Sequence, residues 1–258
     1  MRSEPAPLAL FGDAGTHIPA NAIQQMETVL RLPMARRGAL MPDAHLGYAM
    51  PIGGVATLEG AVSPSFVGYD ISCMMQLTLL DVPPDTFLAN RKHFATWLKG
   101  VTSFGVGANF ADGAREHPVM EEPLWGELPI LRQLKDRAQS QLGSSGGGNH
   151  FADLVLVDFL EPMAPFDAGD SAVGLLTHSG SRGTGYQVAT RYVQVAEQET
   201  RAMAGDIPKG YEWLRLESEA GQEYLAAMAL MGRYARANHD LIHEHFVRAA
   251  GAQPVTRV

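Results

Sequence analysis

The chain contains one cysteine in 258 residues, so an intramolecular disulfide is impossible. Cys73 is left as a ligand, a nucleophile or core filling. No apolar run reaches membrane-spanning length, and the opening MRSEPAPLAL lacks the apolar stretch of a signal peptide. These absences predict a soluble, cytoplasmic protein with no membrane partner. Positive charge is scarce as well: 20 Lys and Arg stand against 28 Asp and Glu, for a net charge of −8. Without a basic field, any polyanion must be held by local arginines, backbone amides or a metal. The chain has no G-x-S-x-G elbow between a strand and a helix, no Walker loop and no G-x-G-x-x-G unit in a strand-to-helix setting. The common hydrolase, P-loop and Rossmann classes are thereby set aside. Neither an internal repeat nor a low-complexity linker divides the chain.

What is present suits a globular fold. Hydrophobic residues make up 46% and charged residues only 19%, enough to bury one large core or two modest ones. The spacing of Ile23, Met26 and Leu30 predicts a helix over 20–30 that stops before Pro33. From Leu40 to Val62 glycine and proline are too dense for a helix, which predicts loops alternating with short strands. Leu88, Arg91, Phe94 and Leu98 predict a helix over 85–98 ended by Gly100, and Ile130, Leu134, Ala138 and Leu142 predict a second. QLTLLDV after Cys73, HFADLVLVD and VGLLT read as strands. Two further helices are expected over about 186–204 and 221–246, the last with a buried stripe of Tyr224, Met228, Met231, Ala235, Ile242 and Phe246. The fold class expected is mixed α/β and not Rossmann, with strand-edge loops lining a cleft and helices packed outside.

The chemistry gathers around FVGYDISCMM, residues 66–75, where Asp70 precedes Cys73 by three residues. Together with His150 and His178, each beside glycines at a strand or loop edge, they supply one carboxylate, one thiolate and two imidazoles. Thiolate with imidazole favours zinc, whereas manganese prefers oxygen donors. Taken singly, each residue has a plainer reading. Cys73 lies between Ile71 and Met74 and reads as core packing, either histidine as a structural one, and Asp70 as a turn cap. His45 in PDAHLG either touches a phosphate or hydrogen-bonds its own turn. His239 and His243, four residues apart at the edge of the last helix's stripe, read as a solvated flank rather than as ligands. SGSRGTG opens a helix with Ser181 and Arg182 beside it, an arrangement that favours an anion.

Four blocks in this order, MPDAHLGYAMPIGG, VGYDISC, GGGNHF and HSGSRG, followed by YLAAM and its long helix, resemble the RtcB family of RNA ligases. That family is associated with tRNA splicing and RNA repair. The resemblance implies a GTP- and manganese-dependent ligase. It would join an RNA 3′-phosphate or 2′,3′-cyclic phosphate end to a 5′-hydroxyl end, through a guanylylated histidine that passes GMP to the 3′-phosphate. It further implies that Cys73 bridges two manganese ions, with His150 and His178 completing one and Asp70 binding the other. Asn149, His150, Phe151, Ala152 and Asp153 would lie along the GTP, although the family commonly has glutamate where this chain has Asp153. Arg182, Ser181 and His45 would contact RNA phosphate.

Family members continue well past the long helix, and that part carries the remaining metal histidine, much of the guanine pocket and the guanylylated histidine. The expectation is thus a single RtcB-like catalytic domain over 1–258, C-terminally incomplete relative to the family and with no catalytic residue assigned. Two other readings stand beside the ligase: a metal-dependent RNA-end phosphoesterase, and a non-catalytic RNA-end-binding module. Whether an activating protein takes part is left open.

Overall fold

The computed structural model describes residues 1–110, 115–204 and 206–258. In chain order its elements begin with β1 (Leu8–Leu10), α1 (Ala20–Leu30), β2 (Ala35–His45), β3 (Ile52–Leu58), β4 (Ala61–Val62), α2 (Pro64–Val67) and β5 (Met74–Leu80). There follow α3 (Pro84–Val101), a short 3-10 turn, α4 (Leu124–Glu127), α5 (Pro129–Gln141), β6 (Phe151–Asp158) and β7 (Ser171–Ser179). The chain closes with α6 (Arg182–Met203), β8 (Leu214–Arg215), α7 (Glu219–Ala250) and β9 (Pro254–Arg257). Two compact units result: Met1–Tyr69 with Gln187–Ala227, and Asp70–Tyr186 with Met228–Val258.

In the first unit β2 runs parallel to β1 and antiparallel to β3, with register shifts between Ala35 and Arg37 and between Leu40 and His45. The glycine- and proline-rich stretch after Leu40 is therefore strand broken by irregularities, as its composition predicts. The apolar side of α1 buries Met26, Val29 and Leu30 into a core completed by Leu32, Leu40 and Trp213.

The second unit is organised by a four-stranded antiparallel sheet in the order β6-β7-β5-β9. Side chains alternate between its faces. Val173 and Leu175 of β7, Leu80 of β5 and Ala152 of β6 pack with Phe87, Phe94 and Leu98 of α3 and with Ile242 and Phe246 of α7. Leu79, Ala172 and Phe159 form a smaller cluster. Small antiparallel and mixed sheets with packed helices are the mixed α/β class expected, and the sheet order has nothing of the doubly wound parallel type.

Differences from the sequence expectations have local causes. Helix α3 runs one residue past Gly100 and carries non-helical backbone at Asn90, φ −117° and ψ 16°. Phe87 rather than Leu88 faces the core, because it stands seven residues before Phe94 and eleven before Leu98, on one face of a 3.6-residue helix, and Leu88 is 44% exposed. Helix α6 starts at Arg182, four residues before the first strongly periodic position, and α7 extends to Ala250. The tail strand β9 pairs with β5 through Thr78 and Arg257, a partnership that four residues alone do not announce. Among the described residues no helix is long and apolar enough to cross a membrane.

The α3 correction is checked by two substitutions. Phe87→Ala should cost about 3–5 kcal/mol by urea unfolding, while Leu88→Ala should stay within about 0.5 kcal/mol of the parent. Equal losses would mean that the face has been assigned wrongly.

Candidate metal centre

The pairing of Asp70 with Cys73 is made by a tight turn. The Cys73 amide donates to the Asp70 carbonyl at 3.1 Å, and Ser72 sits at φ 59°. Three-residue spacing thus becomes proximity in space. Cys73 is exposed, so the core-packing reading fails, while Ile71 takes the fully buried position. The register Phe151↔His178 brings the end of β6 beside the end of β7, and the ring centroids of His150 and His178 lie 5.4 Å apart.

Three ligand atoms, from Asp70, Cys73 and His150, lie within 4.8 Å of one another. Asp70 Oδ2 is 2.6 Å from His150 Nε2, and that nitrogen is 3.4 Å from Cys73 Sγ. His178 Nε2 approaches the same sulfur at 2.9 Å. The sulfur is common to both histidines, and the carboxylate belongs to the His150 side. His178 is also correctly oriented for ligation. Its Nδ1 faces the Asn149 carbonyl at 3.1 Å, which can only accept, so Nδ1 carries the proton and Nε2 presents a bare lone pair.

Behind His150 stands Arg182, whose Nη1 donates to His150 Nδ1 at 2.8 Å and whose Nε reaches Ser144 Oγ at 3.3 Å. Its guanidinium occupies space that only a residue without Cβ at Gly146 leaves open. At Gly180, likewise, a Cβ would enter the Asp70 carboxylate. Ser72 and Arg182 are also the two non-glycine positions with left-handed backbone among the described residues, and both belong to this cluster. The mixed oxygen, sulfur and nitrogen donors, the oriented imidazole and the pared-back loops fit a divalent ion.

The charges respond to this crowding. Burial raises the Asp70 carboxyl, but the His150 hydrogen bond and charge, the Cys73 thiol and Arg182 outweigh it and hold the group below the usual carboxylate range. Although Cys73 meets solvent, the crowding of its sulfur by neighbouring atoms, then the Asp70 charge, pushes the thiol up to about 12. Burial also works against the charged form of Arg182, opposed by Asp70.

The remaining sequence candidates are distributed as follows. Ser181 is fully buried, and its hydroxyl, like that of Ser145, has no partner among the described residues. Asn149 and Asp153 are exposed, Phe151 stacks edge-on against His178 at 5.7 Å, and Ala152 is buried. Ala152, Asp153 and Leu154 border a cavity of about 450 Å³, faced by Arg91, Lys99 and Phe104. His45 belongs to the first unit and hydrogen-bonds the Asp43 carbonyl at 2.9 Å, the local-turn reading.

One expectation is overturned. His239 and His243 are not a solvated flank, since both are fully buried. They bind the hydroxyls of Thr177 and Thr78. Burial lowers both rings, His243 to about 3, which keeps them neutral. Asn238, which sequence reasoning missed, lies in the same buried face and bridges Gly143 to Gly180. The available signal was a polar run, Asn238, His239 and His243, inside an otherwise apolar stripe.

These features define a mixed α/β protein with a cluster of candidate ligands centred on the Cys73 thiol and backed by a buried arginine. The chain belongs to the RtcB family: the family model described as "tRNA-splicing ligase RtcB" matches residues 25–124 and 127–256. It is 33% identical over 264 residues to the tRNA-splicing ligase RtcB of Archaeoglobus fulgidus, covering 88% of this chain and 55% of that protein. Identity to the tRNA-splicing ligase RtcB of Thermococcus kodakarensis is also 33%, covering 88% and 54% respectively. The RNA-splicing ligase RtcB of Mycobacterium tuberculosis is 32% identical, with 85% and 60% covered. The chain thus spans a little over half the length of the curated relatives it matches.

A thiol held at about 12 is protonated at neutral pH, so an ion that takes Cys73 as ligand must displace its proton. Divalent-ion affinity should therefore rise with pH between about 6 and 9, on the order of tenfold per pH unit for one displaced proton. Calorimetry in buffers of different ionisation enthalpy counts that proton. A pH-independent affinity with no proton released would remove Cys73 from the ligand set.

Proposed function

We propose that this chain supplies the metal-holding and RNA-end-binding part of a GTP- and manganese-dependent RNA ligase, acting in tRNA splicing or RNA repair. The reaction would join an RNA 3′-phosphate or 2′,3′-cyclic phosphate end to a 5′-hydroxyl end. The observation that carries this reading is the Cys73 sulfur set between His178 Nε2 at 2.9 Å and His150 Nε2 at 3.4 Å, in a chain of this family.

Asp70, Cys73 and His150 would hold one ion, with an ion displacing the proton that His150 Nε2 carries while Nδ1 accepts from Arg182, and Cys73 with His178 would hold the other. This allotment departs from the one implied by resemblance, which paired the two histidines; the 2.6 Å approach of Asp70 to His150 supports the change. When bound, the ions polarise phosphoryl oxygens and neutralise their charge.

The chain's own groups supply the rest. Arg182, largely buried behind His150, and the first amides of α6 would supply positive charge and donors for a phosphate. Asn149 through Asp153 would lie along the nucleotide. A cavity of about 450 Å³ beside Asp153, with Phe104, Arg91 and Lys99 on its walls, has the size and mixed character of a nucleotide subsite. Manganese is the ion of this reading, although a thiolate and two imidazoles also suit zinc.

The test is binding of RNA ends in the presence of manganese. The parent chain should prefer RNA bearing a 3′-phosphate over the same RNA with a 3′-hydroxyl. Arg182→Ala should lose that preference at a cost of about 1.5–3 kcal/mol, the worth of a hydrogen bond to a charged group. Cys73→Ala should weaken manganese binding by more than the roughly 10–100-fold typical of a supporting residue. Hydrolysis of the phosphorylated end without nucleotide, lost in Cys73→Ala, would replace the ligase reading with the phosphoesterase one.

A further inference from the structure

We propose that Asn238, His239 and His243 of α7, acting with Thr177 of β7, are positioning residues for the ligand cluster. They would hold His178 and the glycine loop before His150 in register from behind the sheet. The proposal rests on the metal-binding reading above and extends it to residues that touch no ligand atom.

Side chains of β7 alternate between the two faces of the sheet. His178 faces the cluster, so its neighbours Thr177 and Ser179 point to the opposite side, where both are fully buried. The donors and acceptors there can be assigned in order. The Ser179 carbonyl only accepts, so His239 Nε2, 3.2 Å away, carries a proton. His239 Nδ1 is then bare and accepts from the Thr177 hydroxyl at 2.6 Å. Thr177 has a single proton and has used it, so its oxygen must accept from His243 Nε2 at 2.8 Å. His243 Nδ1 is left bare and accepts from the Thr78 hydroxyl at 2.7 Å. With neutral rings this is the one arrangement in which every contact is satisfied. A buried chain with one permitted order fixes geometry, because each broken link leaves an unpaired polar group.

Asn238 ties the two ligand-bearing segments together. Its Oδ1 accepts from the Gly143 amide at 2.9 Å, at the start of the loop that leads to His150. Its Nδ2 donates to the Gly180 carbonyl at 3.0 Å, two residues beyond His178. Ser179 adds a second tie, its hydroxyl donating to the Ser145 carbonyl at 2.8 Å. One face of α7 therefore spans both segments, and a shift of either would break it.

Thr177→Val keeps the shape of the side chain and deletes the hydroxyl. It leaves His239 Nδ1 without a donor and His243 Nε2 without an acceptor. Cobalt(II), titrated into the whole chain, reports both affinity and the thiolate-to-cobalt absorption band. The parent chain should show that band, and Cys73→Ala should lose it. Thr177→Val should bind cobalt about 10–100-fold more weakly, as loss of a group supporting a ligand does, with an altered band. Thr177→Ser, which restores the hydroxyl, should recover most of the affinity and the parent band.

Asn238→Asp keeps the size and the acceptor but removes the donor to Gly180. It should weaken cobalt binding in the same way, and it decides the matter if Thr177→Val does not fold. Folded variants with parental affinity and band would overturn the proposal while leaving the metal site intact. If both variants unfold, the network holds up the fold rather than the site, and the proposal is likewise overturned. Absence of a Cys73-dependent band in the parent would instead defeat the metal-binding reading itself.

Discussion

A carboxylate, an imidazole and a guanidinium stand in line in the second unit: Asp70 at 2.6 Å from one nitrogen of His150, Arg182 at 2.8 Å from the other. Burying an arginine is costly unless its charge is answered. Here Asp70 answers it through the imidazole between them, and in doing so places the ring within reach of the Cys73 sulfur. The rest of the site follows from that line. Gly146 has no side chain because the guanidinium needs the room, and Gly180 none because the carboxylate does. Left-handed backbone at Ser72 and Arg182 is tolerated where the surrounding contacts hold it in place.

The sheet of the second unit turns this local line into a site. Antiparallel pairing of β5, β6 and β7 sets Cys73, His150 and His178 at adjoining strand ends, so histidines 77 and 105 positions away in the chain reach one sulfur. The opposite face is closed partly by apolar side chains and partly by the polar set on α7. An apolar helix face would pack as well but slide more easily, whereas a hydrogen-bonded one permits a single register.

Much of this is written locally and can be read there. The helix over 20–30 is punctuated by Pro19 and Pro33, and the strands from Met74, Phe151 and Ser171 are runs of β-branched and leucine residues between turn formers. The candidate ligands were legible because Asp70, Cys73 and His150 stand in turns or glycine-rich loops and His178 at the end of a strand, where side chains seldom gather for packing alone. What escaped depends on distant partners. His239 and His243 look solvent-facing until Thr177 and Thr78 are known to lie opposite, 62 and 165 residues away. Leu88 looks buried until Phe87, seven residues before Phe94 and eleven before Leu98, is seen to hold the better helical spacing. Cys73 looks like core because its neighbours are apolar, and only the turn begun at Asp70 brings it to the surface. Periodicity reports the faces of an ideal element, and Cys73, His239 and His243 sit where the element is ended or matched by a polar partner.

The central claim is that Cys73 is the ligand shared between two ions. It is tested most directly by anomalous diffraction from crystals of this chain grown with manganese. The account predicts two peaks, one beside Asp70 and His150 and one beside His178, both bonded to the Cys73 sulfur. A single ion away from that sulfur, or two ions with the sulfur bonded to neither, would contradict it.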